Sequence, residues 1–120
     1  MNAEALDHYK KGMASYGEGR HPEAIEWYRQ ALEIEPDWGD CRQALGMAQL
    51  NSGRLEEALA SLQRVVELAP EDPLAYTGLS MVWLRLENFE EAENAQARAR
   101  SLSWEEEKRT NPDAPRPGPA

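Results

Sequence analysis

This sequence predicts an all-α fold, an α-solenoid of three helix-turn-helix copies, and three observations carry the prediction. The chain resembles itself at a period of thirty-four residues, with three copies present. In the segments that repeat, apolar residues return at the three-and-four spacing of a helix face. Small residues recur at fixed points, Gly12, Gly46 and Ser80 in one half of each copy and Ala24, Ala58 and Ala92 in the other, where a larger side chain would hold two helix axes apart.

The elements follow in order. Helices are expected at about 3–17 and 22–35, 38–51 and 55–68, and 73–86 and 89–102. Gly17-Glu18-Gly19 and Asn51-Ser52-Gly53 supply left-handed turns within the first two copies; in the third, Glu87-Asn88 stands there, with Asn88 expected to take the left-handed conformation. Asp37 and Asp72 are N-cap candidates, and Pro73 would then hold the first helical position. Pro36 and Pro70 close the first two copies, and Trp104 stands at that point of the third. The expected core is Leu45, Leu79, Trp83, Tyr28, Leu62, Leu55 and Phe89, with Ile25, Leu59, Leu32 and Leu68 beside them. Ser103-Trp104-Glu105-Glu106 looks like a capping box opening a short extra helix to about Arg109. One domain, 3–109, results, with copies at about 5–38, 39–72 and 73–104 and then a short capping segment. The Pro-rich stretch 110–120 is expected to be a disordered tail.

Composition narrows the function. With 120 residues and a formal net charge of −9, the chain would repel a phosphate backbone and an anionic lipid surface, so no nucleic-acid partner is expected. No apolar run is long enough to cross a bilayer, and Met1-Asn2-Ala3-Glu4 lacks the basic and apolar parts of a signal peptide, so membrane insertion is not expected and a cytoplasmic location is. A single cysteine, Cys41, makes no internal disulfide, and with only His8 and His21 beside it there is no structural metal set and no expected cofactor.

The residues now point to a family. Leu45, Gly46, Leu55, Ala58, Leu62, Val65 and Pro70 of the second copy, with Gly12, Ala24, Tyr28, Ala31 and Pro36 of the first, follow a pattern that resembles the tetratricopeptide repeat from Ala5 to about Trp104. The ends depart from it. His8, Lys11 and Ser15 stand where the first copy should be apolar, and Gln96 replaces the residue represented by Tyr28 and Leu62, as befits terminal copies with one face in water. The resemblance implies a concave groove lined by the first helix of each copy, and peptide or protein binding there.

No reactive constellation competes with that reading. His8 and Asp7 are helix neighbours that point apart, Cys41 has no histidine at a helical offset, and His21 lies in a turn. Glu56-Glu57, Glu90-Glu91 and Glu105-Glu106-Glu107 mostly open helices, where carboxylates suit the positive dipole end. The chain is therefore expected not to be an enzyme. The most specific feature is that Met13, Met47 and Met81 all fall on the repeat period, within the stripes Leu6-Tyr9-Met13-Tyr16, Gln43-Met47-Leu50 and Leu74-Met81-Leu84. Two readings stay open: the methionines fill the core, or they lie beside it and give the groove an apolar, adaptable floor. The expected contacts are Tyr9, Met13 and Tyr16 from the first helix, Gln43, Met47 and Leu50 from the third, and Thr77, Met81, Leu84 and Arg85 from the fifth.

Some family members clamp an acidic C-terminal tail with Lys, Asn and Arg side chains. At those offsets this chain has Tyr9, Met13, Ala44, Leu74 and Gly78, so the clamp is absent. The expected role is a non-enzymatic adaptor or scaffold that binds an apolar or amphipathic protein segment; the alternative is a structural module that assembles with copies of itself into homo-oligomers.

Overall fold

A computed structural model describes residues 1–115 of the chain. Six helices follow one another: α1 Ala3–Gly17, α2 His21–Ile34, α3 Gly39–Asn51, α4 Leu55–Leu68, α5 Pro73–Arg85 and α6 Phe89–Thr110, with no strand among the described residues. They form three antiparallel pairs stacked in sequence order. The backbone of α1 lies against α3 and that of α3 against α5, whereas α2, α4 and α6 do not approach one another as closely. An inner layer that is more tightly spaced than the outer one makes the stack concave on the side of α1, α3 and α5.

Local chemistry explains the boundaries. Asn2 caps α1, its Oδ1 accepting from the amides of Glu4 (2.8 Å) and Ala5 (3.1 Å), and Asp72 caps α5 by accepting from the Leu74 amide at 3.0 Å. All three turns inside the copies close the same way: Arg20 N–H donates to the Ser15 carbonyl, Arg54 to Gln49 and Asn88 to Trp83, each at 2.9 Å. That motif needs one left-handed residue, supplied by Gly19 (φ 78°), Gly53 (φ 75°) and Glu87 (φ 60°). The expectation that Asn88 would be left-handed is overturned, because Asn88 serves as the cap of α6, its Oδ1 accepting from the Glu91 amide at 3.2 Å. Asp37 does not cap α3 either. Trp38 occupies that position without a side-chain bond, and Asp37 pairs with Arg64 at 3.1 Å.

The small positions do what their spacing demanded. A Cβ added to Gly12 would stand 2.5 Å from Tyr28 Cε1, and one added to Gly46 would stand 2.7 Å from Leu62 Cδ2. Ala24 and Ala58 are 0% exposed and Ala92 is 1% exposed. Two buried clusters result, one on Ile25, Tyr28, Leu32, Cys41 and Leu45, the other on Leu50, Leu62, Val65, Ala75 and Val82.

Of the expected core, Leu79, Trp83, Leu55, Leu59 and Leu68 are half-buried, and Phe89 is 65% exposed. Phe89 stands at the repeat position of Leu55, which packs against the second cluster, but among the described residues no further helix packs over it. The C-terminal part also differs from expectation. Ser103 opens no separate helix, since α6 runs unbroken for 22 residues and Thr110 is its last residue. Nothing in Ser103-Trp104-Glu105-Glu106 forbids helix, so the preceding turn simply propagates through it. Beyond it the Ala114 amide donates to the Asn111 carbonyl at 3.0 Å, and the rest of the Pro-rich stretch, 116–120, lies outside the described residues.

Candidate functional site

The concave layer is built from helices whose charge nearly cancels. Glu4, Asp7 and Asp40 face Lys10, Lys11, Arg42 and Arg85 across α1, α3 and α5, whereas α2, α4 and α6 carry twelve carboxylates against six basic side chains. Ion pairs brace that outer layer, among them Arg29 with Glu57 (3.1 Å) and Arg64 with Glu67 (2.9 Å). The hydrogen bond to Glu67 and the neighbouring Asp37 raise the pKa of Arg64 further. The net negative charge of the helices thus lies on the outer layer, and the inner layer is close to neutral.

On α1, Met13 is 51% exposed, while Tyr9 and Tyr16 are half-buried. Tyr9 packs its ring 4.6 Å from Trp38 and 5.8 Å from Tyr28, and burial, with Asp40 next in importance, raises its phenol pKa. The Tyr16 hydroxyl accepts from Asn51 Nδ2 at 2.6 Å, joining the ends of α1 and α3. On α3, Gln43 lies under Gly78, where an added Cβ would meet its Nε2 at 2.8 Å, and Met47 is half-buried. On α5, Thr77 is exposed and donates to the Pro73 carbonyl at 3.1 Å, Met81 is 40% exposed, Leu84 is 43% exposed, and Arg85 lies exposed at the helix end.

Leu50 has to leave the contact set. It is 2% exposed and belongs to the second core cluster. It shares its repeat position with Tyr16 and Leu84, but it lies in the middle copy, where Val82 and Leu86 of the next copy pack into the same cluster and close over it. Asn51, one residue on, takes the outward place.

The methionines divide. Met13 and Met81 are exposed and are not core, whereas Met47 packs partly against the second cluster and lines a pocket of about 200 Å³ with Tyr16, Tyr28 and Ala44. Tyr28 and Ala44 are pocket residues that the sequence reading did not assign to the groove. A glycine facing an aromatic, Gly12 against Tyr28, was the available signal, because the ring crosses α1 only where no Cβ blocks it. Cys41 lies buried nearby, and burial pushes its thiol up to about 12, so it stays protonated at neutral pH.

Comparison with known proteins places this architecture. The family model described as tetratricopeptide repeat matches residues 15–80 and 52–101. No curated protein matches the chain in sequence. Among solved structures, MamA superposes with a TM-score of 0.83 at 18% identity, covering 88% of this chain and 61% of that one. A chain of the CopN-Scc3 complex gives 0.79 at 21% identity, covering 85% and 61%. The second TPR of Spaghetti (RPAP3), bound to the HSP90 peptide SRMEEVD, gives 0.78 at 20% identity, covering 83% and 93%. The chain therefore spans 61% of the length of the MamA and CopN-Scc3 chains it superposes on, and at these identities the likeness is one of fold.

Proposed function

The chain belongs to the tetratricopeptide repeat family, and from that premise we propose that it is a non-enzymatic adaptor holding an apolar or amphipathic segment of another protein in the groove of α1, α3 and α5. The observation that carries the reading is the exposure of Met13, Met81, Leu84 and Leu74 on an inner layer whose net charge is close to zero, while the outer layer keeps the net negative charge. Exposed apolar side chains on one concave face are what a partner helix needs to bury its own apolar stripe. The Spaghetti domains were solved with an acidic HSP90 peptide, but no cationic side chain stands at Tyr9, Met13, Ala44, Leu74 or Gly78, so that ligand class is not carried over.

The test replaces Met81 and Met47 by Glu, one at a time. Met81→Glu keeps its carboxylate in water, so the melt should move little, while binding falls by about 1 to 3 kcal/mol as an apolar anchor is lost. Met47→Glu should show the same loss with a larger fall in the melting temperature, since that side chain is half-buried. Salt should change binding only weakly. Folded variants that still capture every wild-type partner from a lysate would defeat the reading.

Phe89 and Leu84, exposed at the open end of the third copy, favour a second reading, assembly with further copies of the chain. Sedimentation over a range of concentrations separates the two. A monomer at all concentrations supports the adaptor, and a tight oligomer lost in Phe89→Ser supports assembly.

A further inference from the structure

We infer that the open end of the third copy is a seat for one amphipathic helix of a different protein, laid across α5 and α6 as α5 is laid across α3 and α4. The seat shares Thr77 and Leu84 with the rim of the groove, but its floor is α6, so it stands or falls apart from the groove reading.

The inner junctions are the template. α5 brings Ala75, Leu79 and Val82 to the second cluster, one helix face at offsets of four and seven, and α3 brings Cys41, Leu45 and Ala48 to the first cluster in the same register. At the crossing, a Cβ added to Gly78 of α5 would lie 2.8 Å from Gln43 Nε2 and 3.4 Å from Leu62 Cδ2. Beside α5, Leu50 and Leu62 are buried and Leu55 is half-buried; one repeat on, Leu84 and Phe89 are exposed and Gln96 is half-buried. The cavities at the two places differ likewise. The one against Gln43, Val65 and Ala69 is closed by Asp72 and Leu74 of the next copy to about 100 Å³. Its repeat counterpart, against Thr77, Ala99 and Ser103 with Arg100, Trp104 and Glu107, is about 320 Å³.

The chain runs past this seat instead of filling it. After α2 and α4 it turns at Pro36 and Pro70 and returns as the next helix, whereas Trp104 holds that position in the third copy and α6 continues to Thr110. Asn111 to Pro115 form a turn with two prolines and supply no helix. The first helix of a second copy does not fit either. At the positions of Ala75 and Leu79 it carries Asp7 and Lys11, paired with each other at 3.0 Å, and Lys11 lies 4.9 Å over the Trp27 ring, which seals that end of the stack.

The occupant is therefore a helix from another protein with small or aliphatic residues at i, i+4 and i+7, like the two helices that close the inner junctions. Its flank is polar along Glu93 and Arg100, which pair at 3.0 Å where the middle copy has Leu59 and Val66. Its direction is that of α5. Glu107, at the edge of the cavity, holds the repeat position of Pro73, the first residue of α5, and so sets a carboxylate at the positive end of a helix that starts there.

The probe is the α5 segment Pro73 to Arg85, acetylated and amidated, with Thr77→Lys, Met81→Glu and Leu84→Lys on its exposed side for solubility. Titrated into the full chain, it should shift the NMR signals of Phe89, Gln96, Ala99, Ser103 and the Trp104 indole and leave those of α1 in place. Ser103→Arg, which fills the cavity, and Phe89→Ser should each weaken binding about ten-fold with the melt held, since both side chains are exposed, and so should Leu79→Lys in the peptide. No binding at millimolar peptide, shifts confined to α1 and α3, or affinity indifferent to all three substitutions overturns the seat and leaves the groove reading as it was. Self-association of the chain alone, by sedimentation, that Ser103→Arg abolishes would show a second copy covering this end and overturn the choice of occupant.

Discussion

Where the first copy meets the second, Tyr28 and Cys41, with Tyr9 and Trp38 against them, fill the space between α1, α2 and α3; where the second meets the third, Leu62, Val65, Ala75 and Val82 give the buried cluster an aliphatic centre, with Tyr76 and Met47 packed against its edge. The helices nevertheless stack in the same way at both junctions. The geometry is thus set by the residues the junctions share, glycine at Gly12 and Gly46 and alanine at Ala24 and Ala58, and the larger side chains are free to vary in chemistry. That freedom puts Tyr16 and Tyr28 at repeat positions that Leu50 and Leu62 hold in the middle copy.

The largest effect should come from removing the shared part. Gly12→Ala and Gly46→Ala both overpack, but a tyrosine ring is rigid and pinned between Gly12 and Tyr9, whereas the leucine methyls can change rotamer. Gly12→Ala should therefore cost about 3 kcal/mol and Gly46→Ala nearer 1 kcal/mol by denaturant melts. Equal costs would show that ring and aliphatic junctions yield alike.

Next comes alkaline pH, which should attack only the first junction. The Cys41 thiol is pushed up from 9.0, and the Tyr28 phenol from 10.0, to about 12 in each case, by burial above all. Both groups stay protonated in the folded chain at pH values where the unfolded chain has lost its protons. Their contribution to stability is complete below about 9 and is lost as pH rises from there to about 12. The melting temperature should fall over that window, and Tyr28→Phe combined with Cys41→Ala should flatten the fall. If the double variant declines as steeply as the parent, the titrating groups lie elsewhere.

The smallest effect concerns the turns. The first two copies put glycine at the left-handed position and the third puts Glu87 there at φ 60°, so Glu87→Gly should stabilise the chain by about 1 kcal/mol. A melt that stays put would mean that the Glu87 side chain offsets its backbone strain.

Much of this was legible in the sequence. Helix starts and ends lie within a residue or so of the expected positions through α5, because turn glycines, Asp72 and Pro73 mark them with local chemistry. What escaped depended on neighbours in space. Leu50 reads like Tyr16 by register, and only the helix packed over it decides that it is core. Phe89 reads like Leu55, and only the absence of a covering helix among the described residues leaves it exposed. The Glu87-Asn88 pair offered two residues for one left-handed site, and the competing demand for a cap at α6 settled which went where. The pocket escaped because its lining joins Tyr28 of one layer to Tyr16, Ala44 and Met47 of the other, and the one signal in the sequence, Gly12 at the repeat offset facing Tyr28, does not say where a cavity opens.

The unbroken length of α6 has a mechanical consequence. Its last half-buried residue is Trp104, and Glu105 to Thr110 stand exposed, six residues of rigid rod that extend about 9 Å at 1.5 Å each. Lys108 and Arg109 sit in its last turn, where cations strengthen the helix end against fraying. Thr110, where the helix ends, therefore stands about 9 Å along the axis from Trp104, and the last turn of α6 works as a short projecting handle on the third copy.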